Sequence, residues 1–231
     1  MARMRPLNIF FKVSALLLIF SLAACRETAV EETQRGMEMK PEMKYIAHRG
    51  YSAKYPENTL PAFKAAVESP EAGRRLIGIE NDIRLTSDGA LVVFHDGGVK
   101  INGKDFLVDE LSHKQLNAAV SQRFHGTPVP TLDECFDVVN HKLVLLVEIK
   151  DGEYDKKLLI DKLDASLARY QPRNDVIIHS FNPKLMKMSL ARFKGKFKVK
   201  FGALLGDANS IEPFGRELLA QMDYIHPSFS G

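Results

Sequence analysis

The sequence has only two cysteines among its 231 residues, and it has no tryptophan. Two cysteines cannot build the dense disulfide framework of a small secreted domain, so a hydrophobic core has to stabilise the fold. Long apolar runs are also scarce, and residues 13–22 form the one that stands out. That run is shorter than the roughly 20 residues that a transmembrane helix needs. These features argue against a disulfide-rich domain and against a transmembrane protein.

The N-terminus has the features of an export signal. Residues 1–24 contain three basic residues ahead of the apolar run, and they contain no acid. The segment Leu-Ala-Ala-Cys at 22–25 resembles the lipobox of bacterial lipoproteins, in which the cysteine becomes the lipid-modified first residue. We therefore expect an exported lipoprotein, anchored to a membrane of the bacterial cell envelope through Cys25, with residues 25–43 as a tether. An ordinary secretory signal with an incidental cysteine is the alternative.

The formal net charge of +3 disappears when the signal is set aside. The signal carries three of the 32 basic residues, which leaves 29 bases against 29 acids. Nucleic-acid binding requires a basic face, so we expect no nucleic-acid partner. The second cysteine, Cys135, has apolar neighbours in a predicted helix and is interpreted as a buried structural thiol.

Strand and helix patterns alternate over residues 44–231, which we interpret as one domain. Alternation of this kind indicates a parallel sheet with helical crossovers, and Thr59 and Thr131 are predicted N-caps of two of the helices. A (β/α)₈ barrel needs eight strands, and an open doubly wound sheet would fit the same periodicity. Residues 97–130 interrupt the alternation. The predicted strands are seven, near residues 45, 79, 92, 146, 177, 201 and 225.

Three acids occur on apolar strands, where a charge is costly without a partner. Glu80 and Asp82 are two residues apart, so both side chains lie on the same face of a strand. Glu148 ends another strongly apolar run. A hard divalent cation binds carboxylate oxygens of this kind, and an ion pair with Lys150 is the alternative for Glu148.

Two histidines and an arginine lie at the ends of neighbouring apolar runs. His48 and His95 can exchange protons near neutral pH, and Arg49 offers a planar donor fork for a phosphate. His179 and His226 also end strands, so position alone does not separate them from the first pair. Catalytic groups at several strand ends are typical of an α/β barrel, and this combination predicts metal-assisted cleavage of a phosphate ester.

Several segments resemble, in order, the motifs of the glycerophosphodiester phosphodiesterase family. The resemblance covers residues 44–231, and the motifs are specific as a set although each alone is weak. They are His-Arg-Gly at 48–50, Pro-Glu-Asn-Thr at 56–59, Glu-Asn-Asp-Ile-Arg-Leu-Thr-Ser-Asp-Gly at 80–89, Leu-Val-Val-Phe-His-Asp at 91–96, Pro-Thr-Leu-Asp-Glu at 130–134 and Val-Glu-Ile-Lys at 147–150.

The resemblance implies a TIM barrel with a small insertion and an enzyme that hydrolyses glycerophosphodiesters to glycerol 3-phosphate and an alcohol. It leaves the choice of Ca²⁺ or Mg²⁺, the alcohol group and the oligomeric state open. Asn58 would fix its loop, and Glu57 would lie near the metal or orient His48. The other implied roles are metal ligation by Glu80, Asp82 and Glu148, acid–base catalysis by His48 and His95, and phosphate contact by Arg49 and Lys150.

The C-terminus departs from the family pattern. Family members continue through a last βα unit with a Trp-Thr-Val-Asn-like strand, whereas this sequence has no tryptophan and ends at Gly231. We therefore expect a barrel that lacks its last βα unit, with reduced stability, a mobile His48, low activity and a tendency to associate through the open edges. A lipid-anchored binding protein or inactive remnant, and a related phospholipase D-like enzyme, are the alternative functions.

Overall fold

The computed structural model describes residues 42–207, 209 and 211–227. The predicted signal peptide, Cys25 and the tether as far as residue 41 lie outside the described residues. Among the described helices, none combines the length and the apolar character that crossing a bilayer requires.

Six parallel strands form the main sheet, and a seventh strand joins it in an antiparallel pairing. In spatial order, the parallel strands are β1 (Tyr45–His48), β2 (Leu76–Leu85), β6 (Val144–Ile149), β7 (Arg173–Ser180), β8 (Lys198–Leu205) and β9 (Tyr224–Pro227). Parallel strands that follow one another in the chain are therefore neighbours in the sheet. This curled sheet with helical crossovers confirms the predicted barrel-type α/β fold.

Both predicted N-cap residues, Thr59 and Thr131, directly precede a helix. Thr131 caps its helix by accepting a hydrogen bond from the Glu134 N–H, as the capping box predicts. Thr59 occupies the N-cap position of the helix Leu60–Val67, but its hydroxyl donates to the Pro56 carbonyl instead of capping the helix. The helices are α1 (Leu60–Val67), α2 (His113–Val120), α3 (Leu132–Val139), α4 (Lys156–Tyr170), α5 (Pro183–Phe193) and α6 (Ile211–Leu219), which is kinked at Gly215.

The strand near residue 92 differs from the predicted parallel alternation. This strand, β3 (Leu91–Val93), pairs antiparallel with the last residues of β2. The connection between them is a turn at residues 86–89, which is far too short for the crossover that two parallel strands require. The pair is therefore a hairpin at the end of β2, and β6 takes the next place in the parallel sheet.

The segment after β3 forms a small layer with its own hydrophobic cluster. A hairpin of β4 (Gly98–Ile101) and β5 (Lys104–Leu107) leads through a 3₁₀ turn (Val108–Glu110) to α2. Its apolar side chains pack against the outer face of β3, so the insertion is fixed to the strand that leads to His95. The buried members of the cluster are Val92, Phe94, Val108, Leu111, Leu116, Val120, Phe124 and Val129.

The alternation of side chains along the strands separates the main core from the polar face of the sheet. On β2, Ile79 and Ile83 lie in the hydrophobic core together with the helices, whereas Glu80 and Asp82 lie on the opposite face. Cys135 is fully buried in the same core, and burial raises the pKa of its thiol well above the usual range, as expected of a structural cysteine.

Candidate active site

Three carboxylates form a compact buried cluster at the carboxyl ends of two adjacent parallel strands. Glu80 and Asp82 lie on β2, and Glu148 on β6 is the register partner of Asp82. All three side chains are buried, and one oxygen of each lies within 4.8 Å of an oxygen of the others. The structure therefore brings together the three acids that the sequence predicts as metal ligands.

Positive and polar groups surround two of these acids more closely than the third. The Asn58 amide donates to Asp82 at 2.8 Å, and Lys150 Nζ lies 2.7 Å from Glu148 and 3.4 Å from Asp82. Glu80 accepts one hydrogen bond, at 3.2 Å, from the Arg49 backbone N–H. Asn58 adopts a positive φ of 57°, and its Oδ1 also accepts a hydrogen bond from the Asp82 N–H at 3.4 Å.

Burial and the close spacing of the acids change the pKa values of Glu80 and Glu148. Burial, followed by repulsion from Asp82 and Glu148, raises the pKa of Glu80 to about 8. Burial also raises the pKa of Glu148, although the hydrogen bond from Lys150 opposes that shift. A divalent cation would relieve both effects, and three carboxylate oxygens are donors that Ca²⁺ and Mg²⁺ favour. The residues present therefore fit a hard divalent cation.

The two predicted catalytic histidines lie at the same end of the sheet but in different surroundings. His48 ends β1, its side chain is 69% exposed, and its Nε2 lies 3.7 Å from Glu80. Partial desolvation and the neighbouring Arg49 lower the pKa of His48. His95 follows β3, and its Nδ1 lies 3.0 Å from an oxygen of Asp96, so that carboxylate fixes the orientation of the ring.

Arg49 is held at the edge of the acid cluster by two carboxylates. Its Nη1 donates to Glu57 at 2.9 Å, and its Nε lies 3.4 Å from Asp82. These two contacts orient the guanidinium and leave Nη2 for another acceptor. The partners of Glu57 are two arginines, Arg49 and Arg123, so Glu57 acts on Arg49 in this structure.

Two arginines that were not among the predicted site residues hold this site together. Arg123, from the loop after α2, contacts both Asp96 and Glu57. Buried Arg84 donates two hydrogen bonds to the His95 carbonyl, at 3.0 and 2.8 Å, and one to the Asp151 carbonyl at 2.8 Å. Arg84 lies inside a recognised motif, but no local pattern in the sequence marks Arg123.

A pair of histidines adjoins the acid cluster on β7 and β9. His179 is the register neighbour of Glu148, and its Nδ1 lies 3.3 Å from Nδ1 of His226. Gly202 on the strand between them makes room for the rings, because a Cβ there would lie 3.2 Å from the His179 Cβ. Burial, and then His226, lowers the pKa of His179 to about 3, so this ring is neutral at physiological pH.

The chain is similar in sequence to the members of one known family. The sequence model of the glycerophosphoryl diester phosphodiesterase family matches residues 48–205. A glycerophosphodiester phosphodiesterase of Caldanaerobacter subterraneus is 34% identical over 191 residues, which cover 80% of this chain and 75% of that protein. The alignments with three further relatives from Bacillus cover only 57–58% of those proteins.

Two solved structures share the fold. The glycerophosphodiester phosphodiesterase of Thermotoga maritima has a TM-score of 0.60 and 30% identity, covering 81% of this chain and 75% of that one. A phosphodiesterase of Oleispira antarctica, solved with the product sn-glycerol-3-phosphate, has a TM-score of 0.64 and 22% identity, covering 80% of this chain and 74% of that one.

Glu80 makes the stability of the metal-free protein depend on pH. Its pKa of about 8 exceeds the ordinary 4.5, so between these values the folded state keeps a proton that the unfolded state releases. Raising the pH through this window therefore favours unfolding, by at most about 1.4 kcal/mol per pH unit for one proton. We expect the free energy of unfolding in chelator to fall more steeply from pH 5 to 8 in the wild type than in Glu80→Gln.

Urea unfolding at several pH values measures this difference. Glu68→Gln, which removes an exposed carboxylate at the end of α1, should keep the wild-type pH dependence. Equal slopes for the wild type and Glu80→Gln would contradict the assignment. Added Ca²⁺ or Mg²⁺ should remove the fall in the free energy of unfolding between pH 5 and 8 in the wild type, because a bound cation favours the ionised carboxylate.

Proposed function

The chain belongs to the glycerophosphoryl diester phosphodiesterase family, and from that premise we propose that it hydrolyses glycerophosphodiesters with the help of a divalent cation. The products are glycerol 3-phosphate and an alcohol. The enzyme class predicted from the sequence is confirmed by the family match and the curated relatives. The observation that carries the metal-dependent mechanism is the buried cluster of Glu80, Asp82 and Glu148 between two histidines and an arginine.

The positive groups of the site support a role in binding the phosphodiester. Arg49 has its guanidinium oriented by Glu57 and Asp82, and a planar fork of N–H donors matches phosphate oxygens. Lys150 pairs with Glu148 and Asp82, so a cation would compete with it for the same oxygens. We propose that Lys150 then turns its charge to the phosphate. The Oleispira antarctica protein, which shares this fold, was solved with sn-glycerol-3-phosphate, and a small phosphorylated ligand is consistent with the proposal.

The three acids are the proposed ligands of the cation. A divalent ion bound there supplies electrostatic stabilisation of the negative charge that develops on the phosphoryl oxygens. Asn58 holds Asp82 in place through its amide. The donor set consists of carboxylates, which suits Ca²⁺ and Mg²⁺ alike.

His48 and His95 are the proposed acid and base. An oxygen nucleophile attacks phosphorus while one histidine accepts its proton, and the other histidine gives a proton to the departing alkoxide, so the P–O bond to the alcohol breaks as the new one forms. His95 has its Nδ1 fixed by Asp96, which leaves Nε2 for the reacting groups. Two separate imidazoles on β1 and after β3 support one proton carrier for each side of phosphorus.

Hydrolysis of glycerophosphocholine tests this proposal. Coupled detection of glycerol 3-phosphate should show release in the presence of Ca²⁺ or Mg²⁺ and no release in chelator. Asp82→Asn should abolish both this activity and the heat of metal binding, because the buried cluster loses one of its three charges. Asp105→Asn, in the exposed β4–β5 hairpin, should leave both unchanged.

Other results would identify the alternatives. Substrate binding without product release would indicate a binding protein, and turnover of sphingomyelin or lysophospholipid in preference to glycerophosphocholine would indicate a phospholipase D-like enzyme. Unchanged metal affinity in Asp82→Asn, measured by calorimetry, would contradict the metal site.

The separate roles of the histidines predict different responses to the leaving group. Each alanine variant should lose about 10²–10⁴-fold in kcat on glycerophosphocholine, which is the usual worth of general acid–base catalysis. A glycerophosphodiester of p-nitrophenol needs no proton on its leaving group, so the variant that lacks the general acid should regain most of its rate on it. His113→Gln is the control, because His113 contacts the Val129 carbonyl outside the site. Wild-type turnover in either alanine variant would make that histidine structural.

We also propose that the protein is a lipoprotein of the bacterial cell envelope, with the lipid on Cys25. The support is the sequence pattern at residues 22–25. Expression of the full chain in bacteria with labelled palmitate should give a labelled, membrane-associated protein. Cys25→Ser should abolish the label and Cys135→Ser should keep it. Labelling that survives Cys25→Ser would contradict the proposal.

A further inference from the structure

We propose that Arg123 is a positioning residue, which holds both His95 and Arg49 in place through two acids. This inference rests on the proposed phosphodiesterase function. It assigns a role in that reaction to the inserted segment after β3, which contributes none of the predicted metal ligands or catalytic histidines.

Arg123 contacts two acids, and each acid contacts one residue of the site; we call this arrangement the clamp. Arg123 Nη1 contacts one oxygen of Asp96, and the other oxygen of Asp96 lies 3.0 Å from Nδ1 of His95. Arg123 Nη2 donates to one oxygen of Glu57 at 3.2 Å, and the other oxygen of Glu57 accepts from Arg49 at 2.9 Å. Each acid therefore divides its two oxygens between Arg123 and one residue of the site.

The position of Arg123 is fixed by the hydrophobic cluster of the insertion. The next residue, Phe124, is 2% exposed, and its ring centroid lies 6.1 Å from that of Phe94. Phe94 directly precedes His95 in the chain, and the Arg123 guanidinium lies 5.4 Å from the centre of the Phe124 ring. The two ends of the clamp, Arg123 and His95, are thus both attached to one packed pair of aromatic rings.

The charges favour a clamp over a second metal site. Glu57, His95 and Asp96 form a cluster that by its geometry could hold a cation, but a guanidinium already contacts both carboxylates. Burial opposes ionisation of Asp96, yet the hydrogen bonds from Arg123 and His95 prevail and lower its pKa. Asp96 is therefore ionised and suited to orient the His95 ring.

The exposure of Arg123 argues that its contribution is to position and not to stability. About half of its side chain, 48%, is exposed, and ion pairs at such sites stabilise a fold by only about 0–1 kcal/mol. Small displacements of catalytic groups have much larger effects on rate, up to about 10²-fold for 1 Å. An arginine is also the side chain that can contact two carboxylates at once through separate nitrogens, which a lysine ammonium matches poorly.

Steady-state kinetics on glycerophosphocholine with saturating metal tests the clamp. Arg123→Gln should lower kcat by about 10–10²-fold through His95 and raise KM through Arg49, and Arg123→Lys should recover part of both. Asp96→Asn should remove most of the effect of Arg123→Gln on kcat in the double variant, because both changes act on the same ring. The matched control is Arg169→Gln, since Arg169 is 45% exposed and also contacts two acids, Asp133 and Asp137.

A second readout does not depend on activity. In protein with ¹⁵N-labelled histidine, the Nδ1–H resonance of His95, assigned by its loss in His95→Gln, should weaken in Arg123→Gln and persist in Arg169→Gln. Thermal unfolding should shift by a similar small amount in the two variants. A wild type without phosphodiesterase activity would overturn the proposed function, and the resonance would still test the clamp. Wild-type kcat together with an unchanged His95 resonance in Arg123→Gln would overturn the clamp.

Discussion

The site depends on one electrostatic constraint, the placement of three carboxylates within 4.8 Å of one another in a buried position. The strand register fixes this placement, because Asp82 and Glu148 are partners in the β2–β6 pair and Glu80 lies two residues before Asp82. The surrounding residues therefore have to compensate the repulsion, and their arrangement follows from that need.

The compensation is uneven across the three acids. Asp82 has contacts with Asn58, Arg49 and Lys150. Glu80 has one backbone hydrogen bond, the exposed His48 ring at 3.7 Å, and a pKa of about 8. The protein alone thus neutralises part of the cluster. The uncompensated charge is what makes the cluster suited to a hard cation. Arg49, which contacts Asp82, is also held by a second acid, Glu57, at 2.9 Å.

The sequence predicted those features that arise from local patterns. The i, i+2 spacing of Glu80 and Asp82, the apolar run before Glu148 and the capping box of Thr131 each have a meaning that does not depend on distant residues. The antiparallel pairing of β3 could also have been predicted, because the turn at residues 86–89 is too short to connect two parallel strands. The role of Arg123 could not have been predicted, because its contacts with Asp96 and Glu57 span 27 and 66 residues and exist only once the insertion has folded.

The buried and half-buried polar groups have different roles at the two ends of the sheet. Near the amino ends of β6 and β7, His141 and Tyr170 both contact Asp175, at 2.5 and 3.1 Å, and Tyr170 stacks between Phe136 and His141. These groups satisfy one another, as in a cluster that stabilises the fold. At the carboxyl ends, Glu80 accepts a single hydrogen bond, and the Arg49 guanidinium can donate to a further acceptor through Nη2. The same α/β architecture therefore separates groups that stabilise the fold from groups of the site, and the insertion packs against β3 at the end where the site lies.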